Sequence, residues 1–197
     1  MPKYEYGRIN MLHEKLTEAQ VDSNVISKIM KDGETVRKHS SSEKKAQWMH
    51  NAMQRMDKHL SKEVRYIVRE NCACCLGGQR KKISEKIARE NETFEKRINA
   101  ANDSKLVFGH SVTRTNDGKI IVCFYPEGLE KYRCVCLPKA KKPISITYCY
   151  CCGGHVKNHL QTATGKKLYC KVVHSSLSSG GKKPCTFEFE IINDSIK

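Results

Sequence analysis

Two short runs of this chain are near-copies of one another. Cys72-Ala-Cys74-Cys75-Leu-Gly77-Gly78 is echoed by Cys149-Tyr-Cys151-Cys152-Gly153-Gly154, and Cys134-Val-Cys136 lies between them. Eight of the eleven cysteines fall in these three knots, each built on a Cys-x-Cys core. Side chains alternate with period 2 along extended backbone, so a Cys-x-Cys pair can aim both sulfurs the same way. Thiolates are the soft ligands that zinc and iron–sulfur clusters select. The knots therefore constrain the fold first: three segments far apart in sequence are expected to converge on metal.

The rest of the composition favours that use of sulfur over disulfides. The opening residues MPKYEYGRINML carry charge and no apolar core of signal-peptide length. This predicts a cytoplasmic location, where thiols stay reduced. An odd number of cysteines also fits poorly with complete pairing. No run approaches ~18 uninterrupted apolar residues, so no membrane partner is expected. Apolar residues make up 39% and charged residues 29% of the 197, the balance of an ordinary globular domain.

The net charge of +15 is concentrated late in the chain. Between Glu130 and Glu188 there is no carboxylate against eleven Lys and Arg, and two of the knots lie in that window. A basic surround lowers thiol pKa values and favours the ligating thiolate. A solvated lysine face is the plainer reading. Nucleic acid is the least favoured, because interleaved aromatics and recognition motifs are missing.

Hydrophobic periodicity divides the chain in two. Up to about residue 104 it reads as helices. Asp22 or Ser23 caps a helix carrying Val25, Ile26 and Ile29. Ser40 with Glu43 has the form of a capping box. Met49, Ala52, Met53, Met56 and Leu60 then make one apolar stripe, a core face or the seam of a homodimer. Ser61 caps the next helix, with Val64, Ile67 and Val68 inward, running into the first knot and stopped by Gly77-Gly78. From residue 105 the period becomes 2. Lys105–Thr115 and Lys119–Tyr125 flank Asn116-Asp117-Gly118, a hairpin signal. Ile144–Tyr148 reads as a strand delivering the second knot, and Gly153-Gly154 as the opening of a helix closed by Gly165. Strands over 167–174 and 185–192 follow. The expected fold is α+β: residues 1–70 a helical region, 71–197 a cysteine-rich part with an antiparallel sheet and a C-terminal helix-strand-strand module, in one continuous fold.

The segment from Tyr148 to Ile192 carries a further pattern. It runs from the cysteine pair through the Gly-rich helix to Gly165, then an alternating strand into Ser175-Ser176, Gly180-Gly181 and Cys185-Thr-Phe187. This resembles the C-terminal half of 4-vinyl-reductase-type domains and of 2-amino-thiazoline-carboxylate-hydrolase-like proteins. The whole chain also looks like a cysteine-rich bacterial family without an assigned activity. The resemblance implies a small-molecule pocket between helices and sheet, often beside a zinc site. It matches Cys185 to the terminal cysteine of those domains, and Cys149 and Cys151 to their cysteine-rich helix start. Two features depart from it: Ser175-Ser176 stands where relatives often place a ligand cysteine, and no acidic ligand occurs between Lys131 and Lys183.

The expected metal ligands are thus Cys72, Cys74, Cys75, Cys134, Cys136, Cys149, Cys151, Cys152 and Cys185, with zinc as the ion or a [4Fe–4S] cluster as the alternative. His155 and His159, one helical turn apart, are candidates to face a bound ligand. Cys123 and Cys170, alone in strands, read as core. The function these residues suggest is metal-dependent binding or sensing of a small molecule, an anion being one candidate. The alternatives are a metal- or thiol-dependent enzyme and an iron–sulfur redox protein.

Overall fold

The computed structural model describes residues 3–192, an α+β arrangement of eight α-helices and one four-stranded sheet. In chain order these are α1 (Gly7–Glu18), α2 (Ser23–Met30), α3 (Ser42–His59), α4 (Lys62–Asn71), α5 (Gly78–Glu90), α6 (Phe94–Asp103), the single turn α7 (Lys105–Phe108), β1 (Ser111–Arg114), β2 (Ile120–Cys123), α8 (Tyr150–Thr164), β3 (Leu168–His174) and β4 (Thr186–Ile191). The strands lie in the order β1-β2-β4-β3 with every neighbour antiparallel.

Helix starts follow cap chemistry. Asp22 accepts from the backbone N–H of Asn24 and Val25, Ser61 from Val64, and Thr93 from Lys96. The cap of α3 is Ser41, which accepts from Lys44, rather than Ser40, whose hydroxyl accepts from Arg37 N–H instead. The methionine stripe of α3 is fully buried at Met49, Ala52, Met53 and Met56 within this chain, so these residues are core. Asn116-Asp117-Gly118 forms the β1–β2 turn, with Ser111 opposite Cys123.

Two stretches read as strand fold otherwise. Leu106-Val107-Phe108 lies in α7, because Val107 and Phe108 are buried side by side and a one-sided strand cannot bury consecutive residues. The same holds before the second knot. Thr147, Tyr148 and Cys149 are all buried, and they form a 3₁₀ turn (Ile146–Cys149) whose Thr147 N–H is held by Ser145 Oγ. The Gly-Gly pairs also act differently from expectation. Helix α4 already ends at Asn71, and Gly77 caps the start of α5.

Gly153 and Gly154 sit one turn inside α8 and allow it to be buried on two sides. A Cβ at Gly153 would lie 2.7 Å from Cys170 Sγ on β3, and one at Gly154 would overlap the Glu70 carbonyl near the end of α4. The double glycine is therefore a packing requirement. It brings the start of α8, with its cysteines, against the end of α4, with Cys72. Among the described residues, no helix is long and apolar enough to cross a membrane.

Candidate thiol site

The close approach of α4 and α8 decides where the sulfurs go. In helical backbone two residues turn through roughly 200°, so Cys149 and Cys151 diverge instead of pointing together. Cys149 Sγ turns to Ser175 Oγ at 3.0 Å. Cys151 and Cys152 face the loop that carries Cys136, and Cys152 Sγ lies 3.5 Å from Cys136 Sγ. Each triplet also holds a Cys-x-x-Cys pair, but neither pair works as a unit. Cys72 is buried at the end of α4, whereas Cys75 is exposed with φ +63°.

Cys74, Cys136 and Cys151 stand between two cavities. Outside them is a cleft of about 250 Å³, which Cys75, Cys152, His155, Arg80 and Phe124 also line. Inside is a chamber of about 60 Å³ walled by Arg8, Arg69, Cys72 and Tyr148. Arg8 donates to the Cys136 carbonyl at 2.8 Å and to the Tyr148 hydroxyl at 3.3 Å. Arg69 is 3% exposed and donates through Nη2 to the Tyr148 carbonyl at 3.2 Å. Its guanidinium stacks 4.8 Å from the Tyr148 ring centroid. Arg69 Nε is buried and has no hydrogen-bond partner. No carboxylate lines the chamber.

A neighbouring thiol and, behind it, this pair of cations lower two of the thiols. Cys152 donates toward Cys151, which overcomes burial and, with Arg69 and Arg8 nearby, brings the Cys151 thiol down to about 6. Cys136 is also lowered, first by the hydrogen bond from Cys152 and then by the two arginines. Cys152 itself is held protonated, well above its usual range, its single S–H having Cys136 and Cys151 as alternative acceptors. Burial pushes Cys74 up to about 11, and Cys75 beside it adds to the shift. Burial also raises Cys72, against the pull of Arg69.

The remaining expected ligands lie apart from the arginines. Cys185 Sγ takes hydrogen bonds from the backbone N–H and hydroxyl region of Ser176 at 3.4 and 3.3 Å. Cys134 Sγ accepts from Leu137 N–H at 3.4 Å. Burial raises Cys134 to about 11, Cys149 well above its normal range, and Cys185 in the same direction. The two histidines bind the first knot's backbone. His155 Nδ1 meets the Cys74 carbonyl at 3.0 Å, while His159 Nε2 meets the Cys75 carbonyl at 3.2 Å and its Nδ1 meets Ser84 Oγ at 2.9 Å. Of the two, His155 lines the cleft. Cys170 is buried against α8, and Cys123 lies 3.8 Å from the Thr186 hydroxyl.

The nine cysteines therefore divide: Cys72, Cys74, Cys75, Cys136, Cys151 and Cys152 surround the chamber and cleft, and Cys134, Cys149 and Cys185 do not line either. Among the described residues, no group of three or more His, Cys, Asp or Glu side chains is arranged to hold a metal ion. Sequence reasoning missed Arg8, Arg69 and Tyr148. A signal for one of them existed: Arg65, Arg69 and Cys72 are spaced i, i+4, i+7 on one face of α4. That face points inward, and Ile67, expected inside, is 58% exposed.

Residues 6–193 match the model of a family of unknown function, DUF6144, and the chain belongs to that family. No curated protein matches it.

Proposed function

We propose that this DUF6144 member is a thiolate-centred binding protein. In this reading Cys136, Cys151 and Cys152, with Cys74 beside them and Cys72 behind, hold a soft metal species above Arg8 and Arg69. The cleft outside admits a small molecule to it. The observation that carries the proposal is Arg69: a buried guanidinium with an unpartnered Nε, facing sulfur and no carboxylate. Burying a cation without an anion is costly, and the only candidate anions here are thiolates. A metal held by several thiolates carries net negative charge, which two arginines offset.

The donor set fits a soft ion. Cys136, Cys151 and Cys152, with Cys74, would be the ligands; zinc held by three of them would supply Lewis-acid chemistry, and all four thiolates would suit a [4Fe–4S] cluster. The residues do the rest. Cys152 would give up its proton on ligation, the arginines would offset the charge of the thiolates, and His155 and His159 anchor the loop carrying Cys74 and Cys75. Anaerobic purification followed by metal and acid-labile sulfide analysis tests this. The expected result is stoichiometric zinc, or iron with sulfide, that is lost in Cys151→Ser and Cys136→Ser. Metal-free protein under those conditions rejects it.

One distance favours a second reading. Cys136 and Cys152 approach to 3.5 Å, near enough to form a disulfide after a small movement, with Cys151 as a thiolate neighbour. Metal-free protein in which a low-molecular-weight disulfide oxidises this pair and no other would establish a dithiol redox site instead.

A further inference from the structure

The long stretch without carboxylates folds back on itself. Residues 131–143 run beside the turn over 175–184, where Tyr132 N–H donates to the Gly181 carbonyl at 2.9 Å and Ile144 N–H to the Leu177 carbonyl at 3.4 Å. The approach depends on Gly181. Its φ is +90°, and a Cβ there would lie 3.1 Å from the Tyr132 carbonyl. Between the two segments is a groove of about 710 Å³, separate from the thiol cleft. Its walls carry Lys131, Arg133, Lys139, Lys141, Lys142 and Lys182, and no Asp or Glu. None of the six is in an ion pair among the described residues. The field of Glu43 on α3 reaches Lys139 and Lys141.

We propose that this groove binds a small molecule carrying two or more phosphate groups. Six cations gathered in one concavity focus a positive potential that a multiply charged anion relieves. Ammonium groups act there as point-charge partners for phosphate oxygens, with Arg133 as a possible bidentate partner in addition. The volume falls within the ~300–1,000 Å³ of small-ligand pockets. An extended nucleic acid is disfavoured by the lining. Tyr132, the aromatic in the wall, is buried, so bases have no exposed ring on which to stack.

Calorimetric titration with inorganic triphosphate at about 0.15 M salt tests the site, because non-specific surface attraction is screened there. The wild-type chain should bind with one-site stoichiometry. The triple variant Lys139→Gln, Lys141→Gln, Lys142→Gln should bind roughly tenfold more weakly or worse, as three contacting charges are removed. A variant with the same charge change on α5, Lys81→Gln, Lys82→Gln, Lys86→Gln, should stay within about twofold because none of these lysines lines the groove. Equal weakening in both variants would overturn the proposal, as would wild-type protein that binds no triphosphate. So would an oligothymidylate that binds and that triphosphate cannot displace. None of these outcomes depends on the metal content of the thiol site.

Discussion

Two of the knots each send one thiol toward the arginines and one away from them. Cys134 and Cys136 are two residues apart, as are Cys149 and Cys151, yet one member of each pair lies on each side. Burial alone raises a thiol's pKa, and Cys134, Cys149 and Cys185 show that default against hydroxyl and amide partners. Cys136 and Cys151 are just as enclosed but are lowered, because a neighbouring thiol donates to them and two guanidiniums stand behind. Cysteine content thus does not separate a reactive site from a packed interior. The immediate neighbours do, and here they are the donating Cys152 thiol backed by Arg8 and Arg69, without which Cys72 and Cys74 in the same chamber stay raised.

Removing the guanidinium is the most severe way to break that contrast. If Arg69 faces a thiolate or a metal-thiolate group, Arg69→Leu leaves a buried anion uncompensated and should cost on the order of 3–5 kcal/mol in urea unfolding of the protein as isolated. It should also slow alkylation of Cys151 near neutral pH. If the thiols beside Arg69 were all protonated, the same change would remove a costly buried charge and be neutral or stabilising. A variant at least as stable as the wild type would therefore show that no anion faces Arg69.

Titration gives a smaller and more specific effect. Cys151 has a depressed folded-state pKa, about 6 against the ordinary 9.0. A depressed group adds stability that is fully present above the unfolded value and is lost as pH falls through the folded one. The stability advantage of wild type over Cys151→Ser should accordingly grow from pH 6 to pH 9. Cys134, Cys149 and Cys185 are raised, so their contributions are lost as pH rises and have the opposite sign. An advantage that stays flat from pH 6 to pH 9 and shrinks only above it would place Cys151 with the raised thiols.

Much of the fold was legible because local rules governed it. Caps at Asp22 and Ser61, the methionine face of α3 and the Asn-Asp-Gly turn all follow from nearest neighbours in sequence. The two misread strands failed where tertiary burial on all sides erased the alternation that marks a strand, at Val107-Phe108 and at Thr147-Tyr148-Cys149. The site was half legible. The knots drew attention to the right cysteines, but the division between them depends on helical backbone at Cys149–Cys152 and on a buried arginine at a position that composition marks as surface. Hydrophobic patterning assigns Arg outward by default, so only the i, i+4, i+7 spacing with Cys72 could have placed Arg69 inside.

The mildest test lies on the serine side. Ser175 Oγ accepts from the Cys149 thiol and from Ser178 N–H at 2.9 Å, so it is shared by two donors within the turn that follows β3. Ser175→Ala leaves both donors without that acceptor. Because the thiol is a weak donor, the cost should be about 1 kcal/mol, drawn mostly from the Ser178 N–H. Cys151 alkylation and any metal content should be untouched, since Ser175 lines neither the chamber nor the cleft. A Ser175→Ala protein that loses metal, or whose Cys151 reactivity shifts with pH, would mean that the two thiol groups form one coupled system despite their different neighbours.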